Sequence, residues 1–208
     1  MVNGIKNPES VNKELYVKYM VCMRDKLLVK SELDQMGITY RLSVHGAIVF
    51  LGEITTVQQN MLKKRLLKSG LVLLDEEESK VIGRIINTIV EIIHYSVELP
   101  RIRFEDIISE HSEIARESVL KIFSDVKGMS VIQFIVTQKI ERAKELLLYE
   151  ERSLSDITDI LNYKNQNYLV AQFKKYTGLT PDYFKKLKKE RMKRSGSITS
   201  GREKATSS

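Results

Sequence analysis

From Leu15 to Leu74 the apolar positions switch repeatedly between a two-residue and a helical period, whereas from Glu78 they keep the helical period to Met192. Leu15–Cys22 is β-branched and aromatic and reads as a strand. Arg24–Met36 sets Leu27, Leu28, Ser31 and Leu33 near helical spacing and stops at Gly37, a residue suited to ending a helix. Thr39–Val44 and Ala47–Leu51 are strand-like runs joined by His45-Gly46, which signals a hairpin. Thr55 or Thr56 is placed to cap a helix running to Ser69, with Leu62, Leu66 and Leu67 inward and Gly70 closing it. Leu71–Leu74 follows as a short strand. The expected order, β-α-β-β-α-β, is the ferredoxin-like arrangement.

The helical half begins with Val81, Ile82, Ile85, Ile86, Ile89, Val90, Ile92 and Ile93, apolar around much of the helix circumference. A helix of that kind needs cover on more than one side, so it is expected to connect two parts. Pro100 marks a break after it. The expected fold class is therefore α+β. A leader over 1–14 precedes a ferredoxin-like domain over 15–76; a connecting helix over 78–99 leads to an all-α tandem helix-turn-helix domain over 100–192. A Ser-, Gly- and Thr-rich tail over 193–208 is expected to be disordered.

An internal repeat with a period of 50 residues carries most of the functional argument. Phe123–Phe134 (FSDVKGMSVIQF) aligns with Phe173–Phe184 (FKKYTGLTPDYF). Phe123 matches Phe173, Gly128 matches Gly178, Met129 matches Leu179, Ser130 matches Thr180, and Phe134 matches Phe184. Each pair has a physical job. The first Phe anchors a helix, the Gly takes the left-handed conformation that ends it, and Ser130 or Thr180 caps the next. Pro181 suits the first position of that next helix, and the second Phe packs back.

A shorter helix is expected in front of each copy. Before the second, Ser153 caps a segment with Ile157, Ile160 and Leu161, Asn162-Tyr163-Lys164 turns, and Asn165 caps the following helix. Short helix, tight turn and second helix make a helix-turn-helix. Before the first copy, Phe104, Ile107 and Ile108 supply the equivalent helix, with the turn in Glu110–Ala115. Val131–Tyr149 joins the units as a long helix, with Ile132, Ile135, Ile140, Ala143, Leu146 and Leu147 expected inside.

Over about Glu78–Met192 the chain resembles the AraC/XylS family of bacterial regulators. The stretches that carry the resemblance are IERAKELL (Ile140–Leu147), LSDITDILNY (Leu154–Tyr163) and FKKYTGLTPDYFKK (Phe173–Lys186). Departures are Thr158 for a usual alanine and Asn162-Tyr163 where Gly-Phe is common. The resemblance implies two recognition helices, about 115–126 and 165–176, in successive major grooves, and RNA polymerase and activation of transcription as the outcome. A homodimer is a further expected form.

Charge sharpens this picture. Net charge is +7, and Phe173–Arg194 holds nine Lys or Arg against Asp182 and Glu190, so the basic character lies at one end, as a polyanion partner requires. On Asn165–Tyr176, Leu169, Phe173 and Tyr176 are expected inward. The opposite face offers Gln166, Asn167, Val170, Ala171 and Lys174. Gln and Asn pair bidentately with adenine, and Val and Ala methyls suit the thymine methyl, so an A·T-containing half-site is expected. The matching face of the first recognition helix is Arg116, Glu117, Leu120, Lys121 and Ser124. Lys121, set to reach guanine or a phosphate, and Arg116, set to reach a phosphate, join the candidate reading residues, whereas Glu117 repels phosphate unless it accepts from a cytosine amine. Lys174, Lys175, Lys185 and Lys186 are assigned to phosphates.

Two rival classes remain. The N-terminal segment also resembles a heavy-metal-associated domain, in which M-x-C-x-x-C holds a soft metal. Here Met20 and Cys22 match, but Asp25 replaces the second cysteine. One thiolate makes a poor soft-metal site, even with Met20, Met23 or His45 nearby, so no metal or cofactor is expected. A metal-, thiol- or small-effector-responsive form of the regulator sensing through Cys22 is the alternative, as is a module that binds only protein. No catalytic constellation surrounds His45, His94 or His111, so the chain is not read as an enzyme. The lone Cys22, the lack of a signal-peptide pattern and the absence of an apolar run of roughly 20 residues fit a cytoplasmic protein with no membrane partner.

Overall fold

The computed structural model describes residues 13–96, 99, 115–187 and 190. The elements are β1 (Glu14–Leu15), β2 (Val17–Lys18), α1 (Met23–Gln35), β3 (Tyr40–Leu42), β4 (Ile48–Phe50), α2 (Thr56–Leu67), β5 (Val72–Leu73) and α3 (Glu76–Tyr95). They are followed by α4 (Arg116–Lys127), α5 (Val131–Leu148), α6 (Leu154–Ile160) and α7 (Gln166–Thr177), with a further helical run over 181–187. The expected leader up to residue 12, the expected first short helix with Phe104, Ile107 and Ile108, the turn containing His111, and the tail lie outside the described residues. The mixed α and β content agrees with the α+β class.

The chain divides into two compact units, one of residues 1–88 with 103–133, the other of residues 89–102 with 134–208. In the first, β1 pairs antiparallel with β4 and β4 with β3, while β2 pairs antiparallel with β5. The interruption between β1 and β2 falls at Tyr16. Its N–H leaves the strand ladder and donates to Ser79 Oγ at 3.1 Å, while its carbonyl accepts from the N–H of Leu74. Ser79 is buried on α3, so its hydroxyl satisfies a backbone group that the sheet leaves over. Leu15, Val17, Val29, Leu33, Ile48, Phe50, Leu62, Leu66 and Leu73 form the core that α1, α2 and the strands share. Each such side chain contributes roughly 2 kcal/mol by leaving water.

Local signals explain the helix bounds. Thr55 caps α2, accepting from the N–H of Gln58 while Gln58 Oε1 accepts from the N–H of Thr55. Gly37 and Gly70 both take positive φ just beyond their helices. Three expectations need correction. The strand expected to reach Cys22 ends at Lys18, because Tyr19 has φ +69° and turns the chain. Leu67, expected inward, is 59% exposed, being on the far side of α2 from Leu62 and Leu66. Glu14, expected in the leader, is in β1.

In the second unit Ile89, Ile93, Leu99, Phe134, Ile140, Ala143, Leu146, Leu147, Ile157, Leu161, Leu169 and Phe173 are buried. His94 lies between Glu145 Oε2 at 3.3 Å and Gln138 Oε1 at 3.1 Å, tying the end of α3 to α5 with both ring nitrogens. Of the α5 residues expected inside, Ile140, Ala143, Leu146 and Leu147 are buried. Ile135 is half-buried, and Ile132 is exposed in the first turn of the helix.

Candidate nucleic-acid interface

In the second unit, α6 and α7, joined by a five-residue connection, each start at a side-chain cap and end at a left-handed residue. Ser153 Oγ accepts from the N–H of Asp156, and Asp156 accepts from the N–H of Ser153. At the other end of α6, Asn162 takes φ +49°, a left-handed position that asparagine tolerates better than most residues. The N–H of Tyr163 then reaches back to the carbonyl of Thr158 at 2.9 Å, closing the helix end. Thr158 is buried and directs its hydroxyl to the carbonyl of Leu154 at 2.7 Å, so its polar atom is satisfied. Asn165 Oδ1 accepts from the N–H of Tyr168 and starts α7. Gly178, at φ +76°, ends it.

Lys139 secures the turn from below. Its ammonium donates to the carbonyl of Leu161 at 2.8 Å and sits 5.3 Å from the centre of the Tyr163 ring. Burial lowers the pKa of Lys139 and raises that of Tyr163. Beyond α7, Thr180 Oγ1 accepts from the N–H of Tyr183, Pro181 is buried, and Phe184 meets Phe173 edge-on at 5.5 Å.

On α7, Gln166, Asn167, Ala171, Lys174 and Lys175 are exposed and Val170 is half-buried. Lys185 is half-buried; Lys186 is exposed and 4.0 Å from Glu190. Leu169 and Phe173 are buried as expected, but Tyr176 is 39% exposed and is not part of the inner stripe. Tyr168, also on the outer side and half exposed, is absent from the sequence-derived face. Its place beside Ala171 and Lys175 on a helical projection was the signal that could have found it.

In the first unit, Arg116, Glu117 and Lys121 of α4 are exposed, and Leu120 and Ser124 are half-buried. Val119, Ile122, Phe123 and Val126 form the buried side. Ala115 at the N-cap gives no side-chain hydrogen bond, so the first-turn Glu117 faces the positive end of the helix dipole. Gly128, at φ +65°, ends the helix, and Ser130 and Gln133 exchange hydrogen bonds at the start of α5. The last turn of α4 is held by the N-terminal module. The N–H of Tyr19 donates to the carbonyl of Asp125, and Lys127 Nζ donates to the carbonyl of His45.

At the stretch that resembles M-x-C-x-x-C, Cys22 is exposed. Asp25 accepts from the N–H of Val21 at 3.1 Å and of Cys22 at 3.0 Å, which fastens the start of α1. Hydrogen bonds from Cys22 hold its carboxyl below the usual range. Met20 is buried and Met23 exposed. Among the described residues no three His, Cys, Asp or Glu side chains converge as metal ligands. No helix among them is long and apolar enough to cross a membrane.

Residues 108–186 match the protein-family model described as "Helix-turn-helix domain". That match takes in α4, α5, α6 and α7. Similar curated proteins include the bifunctional transcriptional activator/DNA repair enzyme AdaA of Bacillus subtilis strain 168, 29% identical over 69 residues, covering 33% of this chain and 33% of that protein. The xylose operon regulatory protein of Haemophilus influenzae is 32% identical over 78 residues, covering 38% of this chain and 20% of that one. The melibiose operon regulatory protein of Escherichia coli K12 is 25% identical over 84 residues, covering 40% and 28%. These alignments span a fifth to a third of the relatives' own length. Among solved structures, the DNA-binding domain of AdpA in complex with a target DNA is 18% identical, covering 54% of this chain and 96% of that chain, with a TM-score of 0.47.

Proposed function

We propose that this protein is a sequence-specific DNA-binding transcription regulator of the AraC/XylS type that activates transcription by engaging RNA polymerase. Gln166, Asn167, Val170 and Ala171 of α7 read an A·T-containing half-site in the major groove. Lys121 and Arg116 of α4 contribute the second set of contacts, and Lys174, Lys175, Lys185 and Lys186 hold phosphates. The observation that carries this reading is α7 itself: a capped helix after a tight turn, buried on Leu169 and Phe173, with polar and basic residues outward. The names of the similar proteins, which are operon regulators and a transcriptional activator, support it. The N-terminal module is a ferredoxin-like fold, a reading supported by the antiparallel pairings of β1 with β4, β4 with β3, and β2 with β5. It serves as a support for α4.

The test is retardation of a labelled random-sequence duplex pool by the full chain as salt is raised. With four lysines on phosphates, log affinity should fall against log salt with a slope of about −3 to −4. A flat salt dependence, or no retardation at low salt, contradicts the proposal.

A further inference from the structure

We propose that Tyr168 contacts a DNA phosphate through its hydroxyl, and that Gln172 and Tyr163 are positioning residues that aim it; this rests on the DNA-binding reading above. Tyr168 is in the first turn of α7 with half its surface in solvent. One turn further along, Gln172 Nε2 donates to Tyr168 Oη at 2.8 Å. The other end of the same amide, Oε1, accepts from Tyr163 Oη at 3.4 Å. Tyr163 is anchored beneath the Lys139 ammonium, and its ring centre is 6.1 Å from that of Tyr168 at an interplanar angle of 55°. A relay of three side chains thus runs from the turn to the exposed face.

The direction of these hydrogen bonds matters. A phenol that accepts on one lone pair keeps its own proton to give elsewhere. Among the described residues no acceptor takes that proton from Tyr168. Tyr168 shares its stripe of the helix with Lys175, seven residues on, and that stripe flanks Asn167 and Ala171 on the side away from Gln166 and Val170. A donor on the rim, on the same stripe as a lysine two turns further along, fits a phosphodiester oxygen rather than a base edge. Holding the ring in place beforehand reduces the side-chain freedom lost on binding.

Tyr168→Phe removes one oxygen and little else. On a duplex recovered by selection with the full chain, it should weaken binding about tenfold, as expected for a hydrogen bond to a charged acceptor. The loss should be equal on a scrambled duplex, and the salt slope should not change, since a neutral hydroxyl releases no counterion. Gln172→Leu should weaken binding similarly, and the double variant should be no worse than Tyr168→Phe alone. Far-UV circular dichroism checks that each variant is folded. Wild-type affinity in Tyr168→Phe, a loss confined to one base pair, a shallower salt slope, or additive losses would each overturn the proposal while leaving the DNA-binding reading intact. A wild-type chain that recovers no duplex takes both down.

Discussion

The N–H of Tyr19 donates to the carbonyl of Asp125 at 2.7 Å, joining residues 106 positions apart in sequence. Tyr19 Oη also reaches Asp125 Oδ2 at 3.4 Å, and Lys127 Nζ donates to the carbonyl of His45 at 3.0 Å. Carbonyls in the last turn of a helix lack partners within it, so the N–H of Tyr19 satisfies one of them, while Lys127 ties the helix end outward to the carbonyl of His45. The N-terminal module and α4 accordingly fall in one compact unit.

Gly128 tests that packing. A Cβ built there lies 2.8 Å from Val21 Cγ1, and the backbone is left-handed at φ +65°. Gly178, in the equivalent place after α7, has φ +76° but nothing within 4 Å of its Cβ position. Gly178→Ala should therefore cost about 1 kcal/mol from conformation alone. Gly128→Ala should cost about 3 kcal/mol, with crowding added. Urea denaturation of both variants reads the difference; equal losses would mean that Val21 does not pack there as described.

Lys127 makes the same region sensitive to pH. Burial, with the Lys26 charge as a smaller cause, lowers its pKa from 10.5 to about 8. Between those values the unfolded chain holds the proton and the folded chain has released it, so this group makes stability rise with pH. Relative to Lys127→Met, the wild-type chain should gain stability from pH 8 to 10.5 and show a constant difference below pH 7. Denaturant midpoints across that range check it; parallel profiles would contradict it.

The start of α4 has the opposite defect, an N-cap alanine with no side-chain hydrogen bond. Ala115→Ser should stabilise the helix by about 1 kcal/mol by accepting from an N–H of the first turn. Removing the corresponding cap before α6, by Ser153→Ala, should cost about as much. Thermal unfolding of the two variants should shift in opposite directions.

Caps and turns were legible in the sequence because their chemistry is local. Thr55, Ser153, Asn165, Gly128 and Gly178 all stand where their side chains, or lack of one, dictate. The outward face of α7 followed from helical spacing once Leu169 and Phe173 were placed inside. What was hidden depends on contacts distant in sequence. Nothing local marks Tyr19 for a left-handed turn or Asp125 as its partner. Exposed Tyr176 and Ile132 show the other gap: an apolar residue at a plausible spacing still needs something to cover it.

Asp25 shows a residue whose chemistry reads differently in sequence and in structure. In the motif it stands where a second thiolate would hold a soft metal; in the fold it accepts from the N–H groups of Val21 and Cys22. Asp25→Cys should therefore lower the melting temperature and at the same time introduce binding of a soft monovalent cation such as Cu(I). A competition titration with a colorimetric chelator, run beside the wild-type chain, reads the second effect. Equal affinity in the two proteins would show that Cys22 alone suffices.

The most direct measurement is selection of binding sites from a random duplex pool by the full chain, compared with selection by a chain carrying Gln166→Ala and Asn167→Ala. The wild-type chain should recover a site with an A·T-containing half, and the variant should lose preference at those base pairs while keeping the rest of the site. Recovery of the same site by both, or no enrichment by the wild-type chain, would contradict the account.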